Sequence, residues 1–111
     1  MANTFTRKLS RSVGTSAIEI GSYTVPSDTT TVVVGLSVTN RTGSAITANV
    51  YIQDSSLENT YIVTNAPVSS GSSLVVGGGD QKLVLITGDK VFVQSSASSS
   101  IDAIMSIMEI T

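Results

Sequence analysis

The sequence predicts an all-β protein: a single antiparallel β-sandwich, jelly-roll or immunoglobulin-like, or a small barrel, with an extended N-terminal arm. Apolar and polar residues alternate with period two in segments rich in β-branched residues, and turn-forming residues separate these segments. The segments recur about every 8 to 12 residues, the spacing typical of sandwiches and barrels. A length of 111 residues suits one domain. We therefore assign residues 1–14 to the arm and residues 15–111 to the sandwich.

The N-terminal arm is assigned because its residues follow neither the helical nor the strand period. It holds Arg7, Lys8 and Arg11, half of the 6 basic residues of the chain, and no acid precedes Glu19. With Phe5 these residues form a predicted docking site for a partner protein, and the alternative is that the charges only solvate the arm. Since chain termini usually fray, an ordered arm indicates that another chain, or the body of its own domain, holds it.

The first two predicted strands cover residues 17–25 and 31–40. The first ends at the turn formers Pro26 and Asp28. The second alternates so regularly that one buried face is predicted, with Val33 as an exception on the opposite face. The predicted inward-facing residues are Val32, Val34, Leu36 and Val38.

A third strand, residues 46–53, alternates in the same way. Its predicted inward-facing residues are Ile46, Ala48, Val50 and Ile52. Residues 40–44 form a glycine-containing turn cluster between this strand and the preceding one. Two alternating strands on either side of such a turn predict a β-hairpin.

The second half of the chain predicts shorter strands arranged as a meander. One strand covers residues 60–64, and Pro67 is expected at a strand end or an edge because it lacks a backbone N–H. Two Gly-Asp turns follow, at residues 77–80 and 87–89. The strands that these turns separate are predicted at residues 73–76, 82–86 and 90–94.

The last apolar segment, residues 101–110, fits both a helical stripe and a strand. We favour a strand because the rest of the chain is β and isoleucine favours strands. Such a strand is apolar on both faces, which predicts either a central position or cover by a neighbouring subunit. The candidate subunit interface comprises Ile104, Met105, Met108 and Ile110.

Residue types that carry catalysis or bind metals are missing from the sequence. There is no histidine and no cysteine, so the commonest general base and the usual zinc ligands are absent. Asp80 and Asp89 are interpreted as turn residues, since no D-x-[DN]-x-[DN]-G calcium loop is present. The glycines at 77–79 lack the P-loop pattern. We expect no catalytic residue, no metal, no cofactor, no small-molecule substrate and no enzymatic activity.

Composition also bears on partners. Charged residues make up only 13% of the chain, and a hydroxyl-rich surface of low charge is typical of a protein packed against neighbours; the alternative is a soluble monomer. A net charge of −2 and few, scattered aromatic residues predict no nucleic-acid partner. No apolar run is long enough to cross a membrane. Tyr51 and Tyr61 are expected close together on adjacent strands.

Several segments spread over nearly the whole chain share their spacing of strands and turns with a known class of proteins. These segments are residues 6–15, 23–26, 33–40, 78–85, 88–91, 102–103 and 109–110. In them the chain resembles the small β-sandwich virion proteins of tailed bacteriophages, those of cyanophages in particular.

This resemblance implies a virion structural protein, present in many copies and assembled in the host cytoplasm. It implies a homo-oligomer that also binds other virion proteins, either the major capsid protein or tail proteins. Capsid decoration, as a cement protein, is the leading interpretation, and a tail, neck or baseplate component is the second. An alternative of another class is a host-receptor or carbohydrate-binding module, which the tyrosines and the Ser/Thr-rich face indicate.

Overall fold

A computed structural model of the protein describes the backbone of residues 2–111 and the side chains of residues 2–76 and 82–111. Two four-stranded antiparallel sheets pack face to face as a β-sandwich, which confirms the predicted fold class. The only other regular element in the described chain is a 3-10 turn, Ile20–Ser22. The strands are β1 (Asn3–Val13), β2 (Ile18–Glu19), β3 (Thr30–Asn40), β4 (Ile46–Gln53), β5 (Asn59–Val68), β6 (Ser73–Leu85), β7 (Lys90–Ser95) and β8 (Ile101–Ile110).

The strand order identifies the sandwich as a jelly roll. The first sheet has the order β1-β8-β3-β6 and the second the order β2-β7-β4-β5. Strands pair from the two ends of the chain inward: β1 with β8, β2 with β7, β3 with β6 and β4 with β5. A long antiparallel ribbon whose successive pairs fall alternately into the two sheets gives this order.

The core lies between the two sheets and consists almost entirely of aliphatic side chains. Both sheets contribute alternate residues, as expected for strands with one buried face. The predicted inward residues Ile46, Ala48 and Val50 of β4 are buried, and Ile52 packs against the core while partly exposed. Other buried members are Leu36, Val38, Leu85, Val91, Val93, Ile101, Ala103, Met105 and Ile107.

β3 buries a different set of residues from the predicted one because it contains a β-bulge. Its register shifts between Val33 and Gly35 against both neighbouring strands, so Val34 is an additional residue. An additional residue reverses the alternation of side chains between the two faces. Val33 therefore faces the core, fully buried, while Val32 and Val34 lie half-buried on the outer face. The prediction was wrong for these three residues.

The predicted hairpin of the two clearest strands is also wrong, because β3 and β4 belong to different sheets. The chain crosses the sandwich between them, and the buried Asn40 stabilises this corner. Its Nδ2 donates hydrogen bonds to the carbonyl oxygens of Ser44 (2.7 Å) and Val68 (3.1 Å). Its Oδ1 accepts one from the backbone N–H of Thr42 at 2.9 Å. Period-two alternation identifies which residues of a strand face the core. It does not show whether two strands pair in one sheet or face each other across the core, because both arrangements give the same pattern.

The first of the two predicted Gly-Asp turns is absent. β6 runs as one strand through residues 77–80 and compensates with two register shifts against β3, so the predicted meander is wrong. Glycine suits an irregular strand as well as a turn. The side chain of Asp80 lies outside the described residues. The turn at residues 87–89 is confirmed: Gly88 has φ +91° and the Ile86 N–H donates to Asp89 Oδ2 at 2.9 Å.

The segment predicted as an N-terminal arm is mainly β1, an edge strand of the first sheet. β1 pairs with β8 from Asn3 opposite Ile110 to Ser10 opposite Ala103. The body of its own domain therefore holds this segment, which was one of the two alternatives. The strand period is invisible in the sequence because residues 3–7 are exposed, so neither face of the strand has to be apolar.

The remaining predictions concern single elements. The strand predicted at residues 17–25 is reduced to β2, because Gly21 has φ +63° and turns the chain into the 3-10 turn. Pro67 lies in β5, an edge strand, as predicted. The strand predicted at residues 101–110 is confirmed as β8, which lies between β1 and β3.

Candidate assembly surfaces

The outer face of the first sheet carries a row of apolar side chains that crosses all four strands. Residues directly opposite each other on adjacent antiparallel strands lie on the same face of the sheet. The pairings Phe5–Met108, Met108–Val32 and Val32–Val84 therefore place these four residues in one row. Phe5 is 73% exposed and Val84 is 62% exposed. We call these residues the first apolar row.

A second row lies four residues further along β1 and is apolar at three of its four positions. It consists of Leu9, Ile104, Ser37 and Val75, again one residue from each strand. Ile104 is 46% exposed and Val75 is 73% exposed. We call these residues the second apolar row. Large apolar side chains grouped in this way are typical of contact surfaces rather than of solvent-facing ones.

Side chains alternate between the two faces of β8, so the four residues of the predicted subunit interface do not all lie on one face. Ile104, Met108 and Ile110 lie on the outer face, where they are at least partly exposed. Met105 points to the opposite face and is fully buried in the core of its own domain. Its inclusion in the interface is therefore corrected: it stabilises the sandwich and is not part of the surface.

The predicted docking residues of β1 also lie on two different faces of the strand. Phe5 and Arg7 lie on the outer face, opposite Met108 and Ser106. Lys8 points to the other side of β1, where its Nζ lies 5.0 Å from the centroid of the Tyr23 ring, a cation–π contact within the domain.

Arg11 lies beyond the regular part of the β1–β8 ladder. It lines a shallow depression together with Asp102 and Ile104. Asp102 also forms an ion pair with Arg41 at 3.5 Å and accepts a hydrogen bond from the Ser12 N–H at 3.0 Å. The four predicted docking residues thus do not form one cluster, although three of them belong to the outer side of the first sheet.

A polar network that the sequence did not reveal connects three segments around Tyr23. The Tyr23 hydroxyl lies 2.7 Å from Thr31 Oγ1 and donates to Glu109 Oε2 at 2.8 Å. Burial raises the pKa of Tyr23 to about 12; the bond to Thr31 acts in the opposite direction, and the Glu109 carboxylate adds to the rise. The hydroxyl therefore stays protonated and ties the chain after the 3-10 turn to β3 and β8.

The outer face of the second sheet carries an aromatic row. The rings of Tyr51 and Tyr61 have centroids 4.9 Å apart, which confirms the predicted proximity, and Tyr51 stacks on Phe92 at 5.2 Å. These neighbours cover Tyr51, which is only 8% exposed. Burial raises the pKa of Tyr51, and the nearby Tyr61 adds to the rise. Tyr61 is 51% exposed and is the accessible ring of this row.

Two further observations concern the part of the chain that the structure describes. Its acidic residues form no group of three that could hold a metal ion, and none of its helical turns has the length and apolar character of a membrane span. Asp89, the described member of the two turn aspartates, bonds to the backbone of its own turn.

The fold and its exposed rows define the protein as a jelly-roll β-sandwich with an apolar outer face. The sequence matches no protein-family model, and no curated protein sequence is similar to it. Solved structures are similar in fold. One, from Bacillus endospore appendages described as disulfide-linked pili, has a TM-score of 0.54 and 16% identity over 100% of this chain and 91% of that chain.

Two other similar structures come from different settings. A chain of the infectious bursal disease virus particle has a TM-score of 0.54 and 12% identity over 96% of this chain, which spans only 30% of the viral one. The nucleoplasmin-like N-terminal domain of Drosophila FKBP39 has a TM-score of 0.50 and 11% identity over 98% of this chain and 92% of that chain. The fold thus occurs in viral particles and in pilus-like fibres, and at these identities the likeness is one of fold.

Proposed function

We propose that the protein is a structural subunit of a virion, present in many copies and bound to its neighbours through the outer face of the first sheet. The observation that carries the proposal is the pair of apolar rows on that face. Covering a large aliphatic or aromatic side chain fully is worth about 1.5–3 kcal/mol. Phe5, Val75, Val84 and Ile104, which are between 46% and 73% exposed, would together contribute several kcal/mol to an assembly contact.

The occurrence of the same fold in a viral particle and in pilus-like fibres supports this role, since both are built from many copies. The resemblance of the sequence to small virion proteins of tailed bacteriophages supports a phage particle, with cyanophages as the nearest setting. The role requires no catalytic residue and no cofactor, and we propose that the protein is not an enzyme.

Within the virion, we place the protein on the capsid as a decoration, or cement, protein that binds the major capsid protein. Its body measures 46 × 27 × 22 Å and carries the two apolar rows on one side, which suits a subunit that lies on a particle surface. A tail, neck or baseplate component remains the second proposal.

The test combines particle mapping with a pair of variants. Mass spectrometry and electron microscopy of purified virions should find the protein at a regular, repeated position. Val84→Asp places a charge in the first apolar row and is expected to reduce incorporation at least tenfold. Thr60→Asp, on the exposed edge strand of the second sheet, is the matched control and should incorporate normally. A stable monomer absent from the particles would contradict the proposal.

A second candidate function is the recognition of a host glycan by the aromatic row. The observation that favours it is the exposed Tyr61 ring, next to the hydrogen-bonded amides of Gln53 and Asn59, which are 3.0 Å apart. A tyrosine ring offers an apolar face with a polar end, and amides both donate and accept hydrogen bonds, so together they can contact the faces and hydroxyls of a sugar. Glycan-array binding that is lost in Tyr61→Ala would support this function, and the absence of binding on the array would eliminate it.

A further inference from the structure

The four edge strands of the sandwich differ in how well they resist pairing with another chain. An edge strand presents unpaired N–H and C=O groups, and proteins protect such edges with short strands, charged side chains, prolines or bulges. β2 has only 2 residues, β5 contains Pro67, and β6 shifts register twice against β3. β1, in contrast, pairs with β8 without interruption from Asn3 to Ser10. This part of β1 is long and contains neither a proline nor a bulge. Its charged residues are Arg7 and Lys8, and Lys8 is directed to the Tyr23 ring of its own domain.

The backbone groups on the free side of β1 can be assigned from its pairing. Ala2 and Thr111 exchange both of their backbone hydrogen bonds, at 3.1 and 3.0 Å. Because hydrogen-bonded and non-hydrogen-bonded pairs alternate in an antiparallel ladder, the even-numbered residues of β1 bond to β8. Asn3, Phe5 and Arg7 therefore direct their N–H and C=O groups away from β8, and their side chains lie on the outer face.

The 3-10 turn limits the free edge at its far end. A Cβ atom built on Gly21 would lie 3.2 Å from the Leu9 nitrogen and 2.6 Å from the Lys8 Cβ, so the turn lies directly against β1 there. The accessible edge thus extends from Asn3 to Arg7, with Phe5 at its centre.

We propose that this edge pairs with the same edge of a second copy of the chain, antiparallel about a two-fold axis at Phe5. In this register Phe5 lies opposite Phe5 of the second copy, and Asn3 lies opposite Arg7 of the second copy. Each of the three residues on the free edge then finds a backbone partner. The edge is therefore self-complementary, as a two-fold contact requires, and the pairing is an example of β-strand addition.

Two further features favour a second copy over another partner. The first apolar row ends at Phe5, so the two-fold joins the rows of both copies into one stripe across an eight-stranded sheet. The pairing also separates like charges: Arg7 of one copy is four residues along the ladder from Arg7 of the other, about 14 Å at about 3.4 Å per residue. This distance exceeds the Debye length of about 8 Å at physiological ionic strength.

A proline substitution tests the pairing, because it removes a backbone hydrogen-bond donor from the free edge. Phe5→Pro removes an N–H that faces solvent in the monomer, a position that an edge strand tolerates. Phe5→Val removes the ring but retains that N–H and is the matched control. Sedimentation velocity over a wide concentration range should show a reversible dimer, with a dissociation constant raised at least tenfold more by Phe5→Pro than by Phe5→Val. Equal effects of the two variants, or a wild-type chain that stays monomeric at millimolar concentration, would overturn the inference.

Hydrogen exchange of the wild-type chain provides a test that needs no variant. The amides of Phe5 and Arg7 should exchange quickly in dilute solution and slow at least tenfold at high concentration. Those of Thr4 and Thr6, which bond to β8, should be protected in both. Exchange at Phe5 that does not depend on concentration would contradict the pairing.

The inference deepens the proposed function but can fail separately from it. A protein that occurs in virions with its β1 edge unpaired, or paired with a different protein, refutes the strand pairing and leaves the virion role intact. A dimer that forms through β1 in a protein absent from virions refutes the virion role alone.

Discussion

Replacing Tyr23 by phenylalanine tests whether the buried network is part of what stabilises the sandwich. The substitution keeps the ring and removes a hydroxyl that bonds to Thr31 at 2.7 Å and to Glu109 at 2.8 Å. A hydrogen bond to a charged group contributes about 1.5–3 kcal/mol, and a buried partner left without a bond costs about 1–3 kcal/mol. Thr31 has no exposed surface, whereas Glu109 is only partly buried. We expect the free energy of unfolding at pH 7 to fall by about 2–3 kcal/mol.

The same variant makes a prediction about pH. The pKa of Tyr23 is about 12 in the folded protein and 10.0 in the reference state, so the unfolded chain loses its proton first as the pH rises. The contribution of the protonated Tyr23 to the free energy of unfolding is therefore fully present below pH 10 and is lost between pH 10 and 12. A pKa difference of two corresponds to about 2.7 kcal/mol. The stability difference between wild type and Tyr23→Phe should accordingly shrink towards zero near pH 12.

Urea unfolding of both proteins at several pH values from 7 to 12 measures both effects. Effects of pH that are common to both proteins cancel in the difference. Tyr61→Phe, which alters a half-exposed ring, is the control and should change stability by less than about 0.5 kcal/mol. A loss below about 0.5 kcal/mol for Tyr23→Phe, or a difference that does not vary with pH, would refute the reasoning.

Three further predictions use thermal or urea unfolding. Gly21→Ala should lower the free energy of unfolding by about 1–3 kcal/mol, since Gly21 has φ +63° and the added Cβ would lie 2.6 Å from a side-chain carbon. Gly43→Ala is the control and should be nearly neutral, because its added Cβ would have no atom within 4 Å. Asn40→Ala should cost about 2–4 kcal/mol because it leaves buried backbone groups unpaired; a loss below about 1 kcal/mol would show that water replaces the amide. Met105→Ala should lower the free energy of unfolding by about 2–5 kcal/mol. Ile104→Ala should lower it by about 1 kcal/mol and weaken assembly. A larger loss of stability for Ile104→Ala than for Met105→Ala would contradict the assignment of faces.

The candidate surface was predictable only in part. Ile104 and Met108 were identified from the sequence, because an apolar residue on a strand with two apolar faces has to be covered by something. Phe5 was identified separately, as a docking residue of the predicted arm. Val75 and Val84 were missed. Their contribution depends on β6 running as one strand beside β3, and the glycines at residues 77–79 indicated a turn instead. The Tyr23 network was missed because its members are 8 and 86 residues apart in the chain.

The sequence by itself determined the β class, the positions of β4, β7 and β8, the turn at residues 87–89 and the shortage of residues for acid–base or metal chemistry. These properties follow from local preferences: period-two alternation, the conformation that a turn requires, and the presence or absence of a side-chain type. Only the tertiary structure decided which strands share a sheet, where β3 bulges, and that the N-terminal segment is an edge strand. Strand pairing depends on contacts between residues far apart in the chain, and the alternation within each strand is compatible with several such pairings.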